Sequence, residues 1–294
     1  MTLLLQLIAN GVVNGALFAM LAVAFGLIYR SARIFHVAFG GLYVVSAYLL
    51  YAAAVWAALP LWTAICLSVA GSAIAGIGVE LGFYRWFVRR RTGHGAVLVA
   101  SLGLFIVIEN LVAVLFGNEV RSIPRDLAKV IHIGPVLLTS IQLTQLAIGA
   151  AALASIALAM RHVRALKAIW AMGDDSELLA LLGNPLGRYR VIVFALATAL
   201  AAIPACMIGV DTGIEPHMGM HYLLVAAVAM LLGGRDRFGG WVAGGFLLAL
   251  LHSVLVWKLS AQWMDLLTFV VLIAILTLRP QGLFGVRRRL EEHA

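Results

Sequence analysis

Charged side chains are scarce in this sequence. Asp, Glu, Lys and Arg make up 12% of its 294 residues, and only 13 residues are acids. Soluble domains carry about 25% charge, so a water-soluble globular fold is excluded. Lysine occurs only at Lys129, Lys167 and Lys258, preceded by Ala128, Leu166 and Trp257. The Gly-Lys-Ser/Thr of a phosphate-cradling loop is therefore missing, and with it an ATP site of that kind. The two cysteines, Cys66 and Cys206, lie inside apolar runs. That excludes a disulfide framework or a thiolate metal site and leaves them as small core hydrophobes. No His-Glu-x-x-His occurs and no nucleophile–base pair can be placed, so no catalytic residue is expected. His217 and His221 stand four apart, but Pro216 and Gly219 interrupt the helix that a shared metal would need, so no metal site is expected either.

What the chain has is apolar length. Hydrophobic residues make up 63% of it, and they fall into charge-poor runs at about 3–29, 36–58, 61–84, 95–117, 141–160, 191–211, 219–234, 239–257 and 262–279. About 20 helical residues span the roughly 30 Å hydrocarbon core of a bilayer. The reading is an all-α polytopic membrane protein forming one transmembrane domain over 1–294, with about nine crossings (eight to ten). The run 219–234 is short enough to be either a full crossing or a re-entrant segment buried in protein. The first run has 27 residues and no basic residue before Arg30, which reads as a transmembrane helix, unlike a basic-headed signal peptide.

With nine crossings, seventeen of the 21 basic residues fall on one side, and only Arg121, Arg125, Lys129 and Lys258 on the other. Basic residues mark the cytoplasmic face. The N-terminus is thus placed outside and the C-terminus inside, with a cytoplasmic loop at about 161–190 and a periplasmic loop at about 118–140. The net charge of +8 is a topology signal, and no nucleic-acid partner is expected. Small residues recur four apart at Gly11 and Gly15, at Ser68, Ser72 and Gly76, and at Gly240 and Gly244, as stripes for close helix packing in lipid. Phe39-Gly40-Gly41 and Phe238-Gly239-Gly240 open two runs alike, a weak hint of an internal repeat.

The loop 161–190 contains Gly-Asp-Asp-Ser-Glu-Leu-Leu-Ala-Leu-Leu-Gly from Gly173 to Gly183. Asp174 and Asp175 can cap a short helix, with Glu177 completing a near capping box. Gly183 suits a left-handed stop and Pro185 ends any continuation. A helix of about eight residues is unstable alone, so Leu178, Leu179, Leu181 and Leu182 require something to pack on. That is either a soluble partner's groove or the chain's own bundle. Glu109, with Asn110 beside it, is the one acid deep in an apolar run. An ionisable group there suggests a functional site, or an acid paired with Asn10, Asn14 or His36. A self-powered secondary transporter or channel using Glu109 is the rival reading of the whole chain. Glu80 reads as an acid paired with the arginines that follow it.

Four stretches carry a resemblance. They are Asn10-Gly11-Val12-Val13-Asn14-Gly15-Ala16, Ser101-Leu102-Gly103-Leu104, the loop Ala165–Gly183 with its Glu177 and Gly183, and Arg279-Pro280-Gln281-Gly282-Leu283-Phe284-Gly285. Over nearly its whole length the chain resembles the inner-membrane permeases of branched-chain amino-acid ABC importers. The resemblance implies a bacterial inner-membrane permease subunit working by alternating access. Asp174, Asp175, Glu177, Leu178, Leu179, Leu181, Leu182 and Gly183 would form the coupling helix that docks on an ATPase. It implies a second permease subunit, identical or related, two ATP-binding subunits that carry ATP and Mg, and a periplasmic solute-binding protein received by the 118–140 loop. Lipid surrounds the assembly, and this chain binds no cofactor. A translocation path is expected among Asn10, Asn14, His36, Phe39, Glu109 and Asn110. Where the family shows N-F-A-H-G-E-L-Y, this chain has His36-Val37-Ala38-Phe39-Gly40-Gly41-Leu42-Tyr43. The resemblance implies a branched-chain amino acid as solute, while the lost carboxylate points to a related small polar, amide, urea-like or aromatic solute, or to a subfamily whose polar work falls to the partner permease.

Overall fold

A computed structural model describes residues 2–90, 92–123, 129–234 and 236–285. Arg91, Arg125, Arg235 and Arg287–Arg289, all counted in the charge reading above, lie outside the described residues.

The chain folds as helices α1 (Thr2–Ala32), α2 (Phe39–Tyr51), α3 (Leu61–Val79), α4 (Arg85–Arg89), α5 (His94–Phe116), α6 (Ser140–His162), α7 (Arg164–Met172), α8 (Ser176–Leu181), α9 (Leu186–Thr212), α10 (Met218–Gly233), α11 (Phe238–Lys258) and α12 (Met264–Leu278). Wider π-type turns extend α2 over Ala52–Trp56 and join α3 to α4 over Glu80–Tyr84. Seven spans are long and apolar enough to cross a membrane: Leu3–Ala32, Phe39–Trp56, Leu61–Arg89, His94–Phe116, Ser140–His162, Leu186–Thr212 and Phe238–Lys258. Met218–Gly233 and Met264–Leu278 are apolar but shorter. One correction to an all-helical fold is small. Strands β1 (Val130–Ile133) and β2 (Val136–Thr139) form an antiparallel hairpin in the stretch read as a plain loop. The β-branched alternation of Val130-Ile131-His132-Ile133 around the Gly134-Pro135 turn explains it.

Helix α1 is the axis of the bundle. It is apolar on every side, and every residue from Ala16 to Ile28 is buried, as a helix without a polar face requires. It packs on α6, α9, α10 and α11. The small-residue stripes lie where helices touch. A Cβ on Gly11 would meet Leu250 of α11 at 2.6 Å, and the space at Gly240 and Gly244 is filled by the backbone of α10. Ser68 donates to the Ser46 carbonyl at 2.6 Å, and Ser72 to the Ser46 hydroxyl at 2.8 Å, tying α3 to α2. Cys206 is buried and its thiol donates to Ser68 Oγ at 3.3 Å. Cys66, expected in the core, is instead exposed, because it falls on the outer face of α3.

The starts of α2 and α10 cross at two glycines. A Cβ on Gly40 would lie 2.6 Å from the Gly219 carbonyl oxygen, and one on Gly219 would lie 2.7 Å from the Gly40 oxygen. Three residues further along each helix, Tyr43 and Tyr222 pack ring on ring at 4.6 Å. The structural mate of Phe39-Gly40 is therefore Met218-Gly219; the sequence echo at Phe238-Gly239 opens α11 but does not meet it. The C-terminal Arg-Pro-Gln-Gly-Leu-Phe-Gly closes on the end of α10. Leu283 N donates to the Leu232 carbonyl at 2.9 Å. Gly282, at φ +79°, lies against Gly234, where any side chain would collide with backbone.

Candidate functional site: an exposed leucine helix and its anchorage

Helix α8 is shorter than expected, six residues from Ser176 to Leu181. The Asp175 carboxylate caps it, accepting from Glu177 N and Leu178 N, both at 2.9 Å. Glu177 is thereby the second helical residue, one position too early for a reciprocal capping box, and its side chain is exposed. Gly183 takes the expected left-handed conformation at φ +79°, and Pro185 precedes α9.

Of the four leucines, the structure buries only Leu179 in this chain. Leu178 is 54% exposed, Leu181 85% and Leu182 70%. The expectation that all four must be covered is therefore met by this chain for one residue. A six-residue helix and its C-cap residue Leu182, together presenting three leucines to solvent, form a surface, since nothing in the chain's own packing rewards their exposure.

What holds this helix in place is an arginine that the sequence reading used only to count charge. Arg30, in the last turn of α1, is buried with 4% of its side chain exposed. Its Nη2 donates to Asp174 Oδ1 at 2.8 Å and its Nη1 to Asp236 Oδ1 at 2.6 Å. The guanidinium carbon Cζ lies over the Trp170 ring, 4.1 Å from its centre, and Trp170 packs against the fully buried Trp241 at 5.4 Å. Asp174, read as a helix cap, thus serves as an anchor. Arg33, in a left-handed conformation at φ +52°, adds hydrogen bonds from Nη2 to the carbonyls of Gly173 and Asp174 at 3.3 and 3.2 Å. Gly173 has no room for a side chain, with Arg30 Cγ 2.5 Å from where a Cβ would sit.

A second buried ion pair joins α9 to the π turn after α3. Arg190 Nε lies 2.6 Å from Glu80 Oε1, and Nη2 lies 3.1 Å from Oε2. Glu80 is paired, as expected, but with Arg190 of α9 and not with the arginines that directly follow it. The same π turn delivers Tyr84, whose hydroxyl lies 2.6 Å from both His36 Nδ1 and Ser101 Oγ. Ser101 also accepts from Ala38 N at 3.0 Å, which gives the Ser101-Leu102-Gly103-Leu104 stretch a physical role. Burial alone pushes the His36 pKa down to about 3, so the ring is neutral.

The proposed path residues fall into three separate pairs. Asn10 accepts from Gln6 at 3.2 Å near the start of α1, and Asn14 is exposed one turn on. His36 and Phe39 are both buried, their rings 6.3 Å apart. On α5, Asn110 donates to its own helix at Ile106 O. Glu109 pairs with His217 at 2.9 Å, correcting the expectation of a partner among Asn10, Asn14 or His36. His221 pairs with Asp265 at 2.5 Å, so the two histidines turn to different acids and away from a common centre. Among the described residues no three His, Cys, Asp or Glu are grouped to hold a metal ion. These pairs border an open cavity of about 520 Å³ lined by Glu215, His217, His221, Tyr222 and Asp265. The cavity lies beside the bridge that joins Arg121 to Ile214.

A family model described as the branched-chain amino acid transport system / permease component matches residues 7–276. The chain is 25% identical over 297 residues to the high-affinity branched-chain amino acid transport system permease protein LivH of Escherichia coli K12, covering 96% of this chain and 95% of that one. It is 25% identical over 225 residues to the autoinducer 2 import system permease protein LsrC of Yersinia pseudotuberculosis, covering 74% of this chain and 63% of that one. Among solved structures, PsaBC from Streptococcus pneumoniae in complex with a Fab matches with a TM-score of 0.47 and 15% identity, over 90% of each chain.

Proposed function

Since the chain belongs to the family of branched-chain amino acid transport permeases, it is a multi-pass inner-membrane permease subunit of an ABC importer, and we propose that its solute is a branched-chain amino acid or a related small polar or amide compound. As a permease it is not itself an enzyme; ATP-hydrolysing and solute-binding subunits work with it. The rival reading of an ion-coupled carrier built on Glu109 is not favoured by this membership.

The proposed assembly is a pair of permeases, identical or related, with two ATPases that carry ATP and Mg and a periplasmic solute-binding protein. This chain contributes one transmembrane domain over 1–294 and binds no cofactor. Nine crossings are proposed, with the N-terminus outside, the C-terminus inside, the 161–190 loop cytoplasmic and the 118–140 loop periplasmic. The placement of polar contacts supports this. Arg30, Asp174 and Asp236 meet at one end of the bundle. Gln6 with Leu137, and Arg121 with Ile214, meet at ends assigned to the other side. Of the two short helices, α12 makes the last crossing, while α10, at 16 residues about 24 Å long, starts within the bundle at the Gly40–Gly219 contact and runs inward sheathed by protein, where shortness is tolerated.

The observation that carries the mechanism is the exposure of Leu178, Leu181 and Leu182 on a capped helix. Asp174, Asp175, Glu177 and Gly183 shape this helix, and its leucines dock in a groove of the ATPase. Closure of the ATPase pair on ATP displaces α8, and the connected helices switch the path from outward to inward opening. Path residues are proposed among Asn10, Asn14, His36, Phe39, Glu109 and Asn110. Cysteines placed at Leu178 or Leu181, in a chain with Cys66 replaced by Ser, should crosslink to the ATPase subunit. Crosslinks confined to the permease itself would refute the docking assignment.

A further inference from the structure

An arginine at the cytoplasmic end of a membrane helix is ordinarily explained by topology, and such an arginine is hydrated and mobile. Arg30 is neither. Its side chain is buried, both terminal amino groups are engaged by carboxylates from two different loops, and its guanidinium carbon lies over an indole ring. Burying a guanidinium costs several kcal/mol unless its partners are well placed, so topology alone does not account for this site. The two carboxylates belong to segments far apart in sequence: Asp174 in the turn between α7 and α8, and Asp236 in the turn between α10 and α11. Trp170 of α7 packs in turn, tilted, against Trp241 of α11. Three elements, the end of α1, the root of α8 and the root of α11, therefore meet at one cation.

Resting on the reading of α8 as the docking helix, we propose that Arg30 is the positioning residue that transmits its motion, locking the α7–α8 turn to the α10–α11 turn so that α8 and the start of α11 move as one body. Arg33 fastens the same turn from the other side through the Gly173 and Asp174 carbonyls. The tight fit at Gly173 leaves the turn no slack. Arginine is required over lysine, because one fork must reach two carboxylates while its centre lies over an aromatic ring. Without Arg30 the ATPase still binds the exposed leucines and still hydrolyses ATP, but the displacement is spent in the turn.

The test uses the complete importer in proteoliposomes, with Cys66 replaced by Ser and spin labels on Lys167→Cys of α7 and Gly239→Cys of α11. In the wild type the inter-label distance stays single and narrow with and without ATP and vanadate. In Arg30→Gln and Asp236→Asn it broadens or shifts on trapping. Leucine uptake per ATP hydrolysed falls about fivefold or more, the scale of a coupling free energy between sites, while hydrolysis itself continues. Arg30→Lys shows the same defect in reduced form. Asp236 is more than half exposed, so its variant folds even where loss of Arg30 prevents insertion. A distance distribution as narrow in Asp236→Asn as in the wild type, or uptake and hydrolysis falling in equal proportion, overturns the proposal. Failure of the docking reading itself is seen separately, as an ATPase that remains bound when Leu181 is changed to Asp.

Discussion

Truncating Leu181 to Ala should weaken ATPase binding without touching the stability of the permease. Leu178, Leu181 and Leu182 expose 54, 85 and 70% of their surface, about two leucines' worth in all. Covering a leucine is worth about 1.5–3 kcal/mol, so a partner that buries all three gains roughly 3–6 kcal/mol before ordering costs. Leu181, the most exposed, carries about 1.5–2.5 kcal/mol of that by the same scale, and its loss should raise the Kd about tenfold or more. Leu179 is the internal control: it is buried against its own chain, and truncating a buried leucine costs about 2–5 kcal/mol of fold stability. The assay is titration of purified ATPase onto the detergent-solubilised permease, with thermal unfolding of the permease measured alongside. Leu181→Ala should shift Kd and leave Tm unchanged; Leu179→Ala should lower Tm. Unchanged affinity in Leu181→Ala, or a fall in Tm equal to that of Leu179→Ala, would refute the reasoning that these leucines face a partner.

Removing one half of the buried Glu80–Arg190 pair strands a charge, so Arg190→Ala should destabilise the permease by about 3–5 kcal/mol, read as a lowered Tm. Gly40→Ala and Gly219→Ala each press a methyl onto the other helix's carbonyl oxygen and should reduce the yield of folded protein, while Gly187→Ala, with nothing within 4 Å of its Cβ, should not. Asp175→Ala should cost α8 about 0.5–2 kcal/mol of capping, measurable as faster backbone amide exchange at Glu177 and Leu178. His36 is neutral in the fold, with its pKa lowered from 6.5 to about 3, while the unfolded ring protonates at its ordinary value. The unfolded state therefore binds the extra proton between those values, and this contribution to stability, complete above pH 6.5, drains away as pH falls toward 3. His36→Phe should flatten the dependence of Tm on pH in that window.

Hydropathy made seven membrane helices legible because each is long and apolar, and α8 was legible because Asp175, Gly183 and Pro185 are local punctuation that needs no tertiary context. Side-chain partnerships were not. Arg30 and Asp236 lie 206 positions apart, and nothing local distinguishes a buried bridging arginine from an exposed one at a helix end. Glu109 stands out in the sequence as an unusual acid, yet its partner His217 was out of reach of any pattern, since His217 is the N-cap of α10 and only the bundle decides where that helix start meets α5. The hint of a repeat was placed on the wrong partner for a related reason. Phe39-Gly40-Gly41 and Phe238-Gly239-Gly240 agree in letters, whereas Gly40 and Gly219 agree in three dimensions and share only a glycine and a tyrosine three residues on.

That crossing bears on how the transporter is driven. In the proposed orientation α2 heads outward and α10 inward from the same contact, and each presents the other with a glycine and then a tyrosine. No side chain can be inserted at either glycine without colliding with the other helix's backbone. The outward-running and inward-running segments therefore form one close-packed joint, and a tilt of either has to be followed by the other.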